Sequence, residues 1–83
     1  MSEVVNPAAA RDGSAVKTVA KVLDLLEHVA AAKRAVSISE LAVMTRINVS
    51  TAHRLMQTLA RRNYVEQDPA TRAYRLGPRV LEL

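Results

Sequence analysis

The stretch "INVSTAHRLMQTLARR", Ile47–Arg62, decides the fold of this chain. At about 100° per residue, a helix through it places apolar residues on one side and polar residues on the other. The apolar side holds Ala52, Leu55, Met56 and Leu59, with Val49 at its edge. The opposite side holds Ser50, Arg54, Gln57 and Arg61. Since no carboxylate occurs from Leu41 to Val65, the outer face of this helix is predicted to carry no negative charge.

A shorter helix is predicted immediately before it, over Ile38 to Thr45. In the sequence "SISE", the Ser37 hydroxyl is placed to accept from the Glu40 amide while the Glu40 carboxylate reaches back, as in a capping box. Within that helix we expect Leu41 and either Ala42 or Met44 to be buried. Asn48 is placed to cap the helix that follows. Two helices joined this tightly, the second with a polar outer face, indicate a helix-turn-helix.

Upstream, a first helix is predicted from Thr18, as its N-cap, to about Ala32. Its apolar residues recur at helical spacing and are Val19, Val22, Leu23, Leu26, Val29 and Ala30. This stripe is larger than two short helices can cover, so part of it is a candidate dimer contact. Residues 1–16 show no periodicity and are predicted to be a disordered leader.

Downstream, "YVEQ" and "AYRL" flank the turn sequence "DPATR" and predict a β-hairpin. Gly77-Pro78 ends the second strand, and "PRVLEL" is predicted to begin another helix. The fold class is therefore mainly α with a small β-hairpin: a winged helix-turn-helix over residues 17–77. Residues 78–83 are expected to start a linker helix, which suggests a chain cut from a longer protein.

Composition narrows the function. The 83 residues suffice for one small domain, and the absence of cysteine excludes disulfides, thiolate metal sites and cysteine nucleophiles. No phosphate loop, nucleophile elbow or acid cluster is present, so no enzymatic activity, cofactor or metal is expected, and neither His28 nor His53 has a second ligand at a useful spacing. No membrane span or signal peptide is apparent, which favours a cytoplasmic protein.

The charge is unevenly distributed. The net charge is +4, and the first 45 residues carry five bases and five acids, which cancel. Residues 46–83 carry seven arginines and three acids, so the whole excess lies there. Because the guanidinium fork matches phosphate oxygens and guanine edges, this half is predicted to bind a polyanion, double-stranded DNA in particular. A solvated basic surface is the alternative that composition leaves open.

Recognition helices usually read bases with their N-terminal part. The predicted base contacts are Ser50, Thr51, His53 and Arg54. The predicted contacts to the DNA backbone or from the wing are Asn48, Gln57, Arg61, Arg62, Arg72 and Arg75. The rival function, from another class, is a winged helix that serves as a protein-interaction or dimerisation module without DNA readout.

Four motifs together carry a resemblance to a known family: "SELA" (39–42), "STAHRL" (50–55), "YV" (64–65) and "YRLG" (74–77). From about Thr18 onward the chain resembles the N-terminal DNA-binding domain of the IclR family of bacterial transcriptional regulators. The resemblance implies a homodimer, often a tetramer, that acts as a repressor on palindromic operators. It also implies a larger C-terminal domain, absent from this chain, that senses a small metabolite.

Two positions depart from the family pattern, which usually has glycine where Arg46 and Asn63 stand. Asparagine tolerates the left-handed conformation that helix ends often need. At Arg46 the departure indicates either strain of about 1 kcal/mol or a different turn geometry, and the side chain is a further candidate for a phosphate contact.

Overall fold

The computed structural model describes residues 13–83. It contains helices α1 (Gly13–Ala32), α2 (Ile38–Thr45) and α3 (Val49–Arg61), strands β1 (Val65–Gln67) and β2 (Tyr74–Leu76), and a 3₁₀ helix (Pro78–Glu82). The strands pair antiparallel, with Val65 opposite Leu76 and Gln67 opposite Tyr74. Three helices followed by a hairpin confirm the predicted winged helix-turn-helix.

Helix α1 is longer than predicted. It begins at Gly13 rather than at Thr18, so the predicted leader is wrong for residues 13–16 and Thr18 lies inside the helix. Residues 14–17 include neither proline nor glycine, and nothing there interrupts the helical hydrogen bonds. The rest of the predicted leader, residues 1–12, lies outside the described residues.

The core face of α1 is also rotated from the predicted stripe. Leu25, which the stripe omitted, is completely buried, whereas Val19 and Leu23 are 59% and 50% exposed. The core face runs through Val22, Leu25, Leu26 and Val29. Because α1 carries more apolar residues than one face holds, periodicity alone selected the wrong edge of the stripe.

The caps of the two short helices form largely as predicted. The Ser37 hydroxyl accepts from the Glu40 amide at 3.1 Å, and the Asn48 side chain accepts from the Ser50 amide at 2.8 Å. The reciprocal half of the capping box is wrong, because the Glu40 carboxylate binds the Arg34 guanidinium instead. The hydrogen bonds from Arg34, with a smaller contribution from its charge, hold the pKa of Glu40 below its ordinary value.

The wing is attached to the helices through Tyr74. This side chain is fully buried, and its backbone N–H and C=O exchange two hydrogen bonds of 2.7 Å with Val36, in the loop between α1 and α2. Val36 thus adds a one-residue bridge to the hairpin. The buried core comprises Leu25, Val29, Val36, Leu41, Ile47, Ala52, Met56, Leu59, Val65 and Tyr74.

After β2 the chain turns into a helix at the predicted place, and this helix is of the 3₁₀ type. Pro78 occupies its first turn, as predicted, because proline has no N–H to satisfy there. Gly77 donates its N–H to the Tyr64 carbonyl, and Arg79 donates to the Asn63 carbonyl. These hydrogen bonds hold the segment against the end of α3.

Candidate nucleic-acid interface

The orientation of α3 is fixed by three buried side chains. Ala52, Met56 and Leu59 face the core, while Leu55 is half-buried and packs at its edge. In α2, Leu41 is buried as predicted, Ala42 is half-buried, and Met44 is 49% exposed. Since side chains that lie about 180° apart on a helix cannot both be buried against one core, the opposite side of α3 lies outside this core.

The predicted base contacts lie together at the N-terminal part of α3. Ser50, His53 and Arg54 are exposed, and Thr51 is half-buried. Asn48 is exposed, but its side-chain oxygen Oδ1 already accepts the capping hydrogen bond from the Ser50 amide. The structure thus assembles these residues on one accessible surface in the first two turns of the helix.

The arginines of residues 46–83 fall into two groups, those with an ion-pair partner and those without one. Through their side chains, Arg46, Arg54, Arg62 and Arg72 form no ion pair within residues 13–83. Arg61 donates to the Thr58 hydroxyl at 3.3 Å and likewise has no ion pair within these residues. In contrast, Arg75 lies 3.8 Å from Asp68, and Arg79 pairs with Glu82 at 3.1 Å. Unneutralised positive charge therefore concentrates on α3, the turn before it and the wing tip.

Gln57 does not lie on the exposed face, and its predicted position is wrong. Its side chain is half-buried between α3 and the wing, where Nε2 donates to the Tyr74 hydroxyl at 2.8 Å and to Gln67 Oε1 at 3.2 Å. Both hydrogens of the amide nitrogen are used by these two bonds. The wheel placed Gln57 opposite the core of α3, but the wing covers that part of the helix.

The wing turn is held by Asp68. Its carboxylate accepts from the amides of Ala70 at 2.7 Å and Thr71 at 3.1 Å, and these bonds hold the pKa of Asp68 below its ordinary value. Arg72 follows with a φ of 68° and an exposed side chain. Arg75, one residue past Tyr74, points to the other face of β2 and lines a shallow cleft with Lys33 and Arg34.

The turn between α2 and α3 keeps the left-handed geometry. Arg46 has φ 60° and ψ 31°, and its N–H donates to the Ala42 carbonyl as the C-cap of α2. Asn63, after α3, has φ 68°. Of the two alternatives for Arg46, the structure has the strained left-handed backbone and not a different turn geometry. The exposed Arg46 side chain lies in the turn directly before α3.

Three residues that support the candidate interface are not predicted from the sequence. Ile47, which is buried, anchors the turn before α3; Gln67 and the Tyr74 hydroxyl hold Gln57. Ile47 was recognisable as an apolar residue inside a polar turn. No sequence signal links Gln57 to Tyr74, seventeen residues away.

Other chemistry is sparse in the part of the chain that the structure describes. His28 Nδ1 is 2.8 Å from the backbone carbonyl oxygen of Asp24 and donates to it. No group of three histidine, aspartate or glutamate side chains that could hold a metal ion occurs in residues 13–83. Over the same residues, no helix has the length and apolar character needed to cross a membrane.

A helix-turn-helix with an attached wing, and with an outward-facing, acid-free second helix, defines a DNA-binding winged-helix domain. Comparison with known proteins specifies the class further. The family model described as the IclR helix-turn-helix domain matches residues 18–69. The chain therefore belongs to the IclR family of transcriptional regulators and carries its DNA-binding domain.

Individual relatives agree with this assignment. The chain is 32% identical over 69 residues to the HTH-type transcriptional regulator BhcR of Paracoccus denitrificans, covering 83% of this chain and 24% of that protein. It is similar to the crystal structures of an IclR-family regulator from Brucella abortus (TM-score 0.74, 28% identity, 78% of this chain and 25% of that one) and of one from a Rhodococcus species (TM-score 0.73, 32% identity, 99% and 30%). The chain thus spans less than a third of the length of these relatives.

Proposed function

We propose that this domain binds double-stranded DNA sequence-specifically by placing the N-terminal part of α3 in the major groove. The observation that carries the proposal is Arg54, which is exposed, forms no ion pair with any residue from 13 to 83, and lies on a helix face that lacks carboxylates. Phosphates flank the groove and repel carboxylates, so such a face suits entry into the duplex. Arg54 reads a guanine through its bidentate donors, and Ser50, Thr51 and His53 contact neighbouring base edges.

The remaining cations contact the DNA backbone. Arg61 and Arg62 lie at the C-terminal end of α3, farther from the bases, and neutralise phosphates, with Asn48 as a donor at the other end. Arg72 extends from the wing tip to the flanking backbone or the minor groove. Arg75 contributes less, because Asp68 partly neutralises it.

In the whole protein, residues 17–77 form the DNA-binding domain and residues 78–83 begin the connection to a C-terminal domain that senses a small metabolite. The protein acts in the cytoplasm as a homodimer or tetramer on a palindromic operator, as a repressor. The relatives support the transcriptional role and the further domain alone, since they are regulators more than three times as long as this chain. A dimer that reads one face of DNA places its two copies of α3 roughly 34 Å apart or a multiple of that distance.

The exposed apolar face of α1 is the proposed dimer contact. Val16, Val19 and Leu23 are 53%, 59% and 50% exposed. Leu23 continues into an apolar groove whose other lining residues are Leu26, Glu27, Ala30, Tyr64, Leu76, Val80 and Leu83. A second copy of the chain would remove this surface from water, and contiguous exposed apolar patches commonly mark interaction sites.

Selection of the 83-residue chain against random duplex DNA tests the DNA-binding function. We expect enrichment of one motif and a steep fall of affinity with salt, with a log-log slope of about −0.9 per phosphate contact. The rival interaction module predicts no enriched motif and no duplex binding at low salt. That pair of results would reject the proposal.

Sedimentation of the chain over a range of concentrations tests the dimer contact. Leu23→Glu is expected to shift the chain toward monomer, because it places a charge in the apolar patch. Val43→Glu is the matched control, since it places the same charge at an exposed apolar position of another helix, where Val43 is 78% exposed on α2. Equal association in the two variants would place the dimer contact elsewhere.

A further inference from the structure

The Gln57 side chain forms a hydrogen-bond chain that joins the recognition helix to the wing tip. Gln57 Nε2 bonds to the Tyr74 hydroxyl and to Gln67 Oε1, and Gln67 Nε2 donates to the backbone carbonyl of Arg72 at 3.0 Å. The path therefore runs from the third turn of α3, through a cross-strand pair of the hairpin, to the residue that carries the tip cation. Every link is a hydrogen bond between described residues.

Because the Tyr74 hydroxyl is buried, these contacts favour one position of the wing relative to α3. Tyr74 is 0% exposed, so its hydroxyl has no access to bulk water and depends on Gln57 for a hydrogen bond. No buried side-chain nitrogen or oxygen in the described residues lacks a partner. An alternative wing position would break the bond from Gln57 and leave the buried hydroxyl unpaired, which is costly.

The backbone of the wing tip is held at the same place. Arg72 occupies the left-handed region at φ 68°, and its N–H donates to the Asp68 carbonyl at 2.7 Å while its own carbonyl accepts from Gln67. Both polar groups of the Arg72 backbone are thus engaged. The direction in which the Arg72 side chain leaves the wing is set by contacts that lead back to α3.

We propose that Gln57 is a positioning residue, which fixes the wing against the recognition helix so that Arg72 and Arg54 engage the same DNA site together. This inference rests on the proposed DNA-binding function. Gln57 itself touches no DNA in this arrangement. The Gln57–Tyr74–Gln67 network sets the distance between Arg54, which contacts the groove, and Arg72, which contacts DNA from the wing.

A double-mutant cycle on DNA affinity tests the coupling, using the 83-residue chain and its selected duplex. Arg72→Ala is expected to weaken binding about fivefold and to make the salt slope shallower. In a Gln57→Met background the same substitution should weaken binding less than twofold, because the tip is no longer held in register. Gln67→Met should behave like Gln57→Met. A merely structural role for Gln57 would lower affinity equally in both backgrounds and leave the effect of Arg72→Ala unchanged.

The matched control is Ser50→Ala, at the other end of α3. Ser50 lies outside the network, so its effect and that of Arg72→Ala should add. If the effects of Gln57→Met and Arg72→Ala also add, or if Arg72→Ala has no effect on affinity in the unaltered chain, the proposal is wrong.

A measurement without DNA separates failure of the coupling from failure of the proposed function. Backbone ¹⁵N relaxation should show greater mobility for residues 70–73 in Gln57→Met and Tyr74→Phe than in the parent, while residues of α2 remain unchanged. A rigid wing in both variants would overturn the positioning role even if DNA binds. If the variants have a mobile wing but the chain does not bind DNA, the proposed function is rejected, whereas the role of Gln57 in holding the wing stands.

Discussion

Gly77 and Asn63 lie in such close contact that a β-carbon at position 77 would stand 2.4 Å from the Asn63 carbonyl oxygen. The φ of Gly77 is −97°, so the glycine is required by the close approach of backbone and not by its own conformation. The contact packs the segment after the wing against the end of α3.

Gly77→Ala is therefore expected to destabilise the domain by about 1–3 kcal/mol, because backbone atoms must move to admit the methyl group. Chemical denaturation measures the change. Arg79→Ala is the control, since it keeps the backbone N–H that bonds to Asn63 and alters only an exposed side chain. A loss in Gly77→Ala no larger than in Arg79→Ala would contradict the close contact.

Leu25→Ala should lower the free energy of unfolding by about 2–5 kcal/mol, because Leu25 is completely buried. Leu23→Ala makes the same chemical change at a half-exposed position of the same helix and should cost about 0.5 kcal/mol or less. Both are measured by denaturation at concentrations where the chain is monomeric. Equal losses would show that the stripe predicted from periodicity faces the core after all.

Arg54→Ala is expected to weaken binding to the selected duplex by about 1–3 kcal/mol and to relax preference at one base step. Arg61→Ala should instead weaken binding to all sequences and make the salt slope shallower by about 0.9. Gel-shift titrations on the selected and scrambled duplexes separate the two patterns. Unchanged affinity and unchanged preference in Arg54→Ala would remove this residue from base reading.

Arg46→Gly should stabilise the domain by about 0.5–1 kcal/mol. The left-handed conformation costs a residue with a side chain about 1–2 kcal/mol, and the larger conformational entropy that glycine loses on folding offsets part of this gain. Asn63→Gly is the comparison, with a smaller gain because asparagine tolerates this conformation. Thermal unfolding reports both. A destabilised Arg46→Gly would mean that the arginine side chain forms stabilising contacts that offset its strain.

Protonation of Asp68 should loosen the wing turn. Its folded-state pKa lies below the ordinary value because the amides of Thr71 and Ala70 donate to the carboxylate, with a further contribution from Arg75. The stabilisation is thus complete above the unfolded pKa of about 4 and is lost as the pH falls through the lower folded-state pKa. Amide exchange at residues 70 and 71 should accelerate relative to α2 over that range. Asp68→Asn has no carboxyl to titrate, so a similar acceleration in that variant would assign the effect to another group, such as Glu40.

Much of the domain follows from interactions between residues close together in the sequence. The caps at Ser37 and Asn48, the bounds of α2, the turn at Asp68 and the left-handed residue at Asn63 each depend on neighbours within about four positions. Such contacts are readable from residue type and spacing. The four candidate base-reading residues at the start of α3 were found this way, because one helix carries them all.

Only the tertiary structure decided which of two adjacent apolar faces of α1 is buried and that the wing covers Gln57. The contacts that attach the wing join residues distant in sequence, as between Gln57 and Tyr74 or between Val36 and Tyr74. Sequence periodicity specifies that a face is apolar or polar, but not what packs against it. The choice is made when the hairpin and the three helices bury their side chains together, since only then does each buried polar atom acquire its partner.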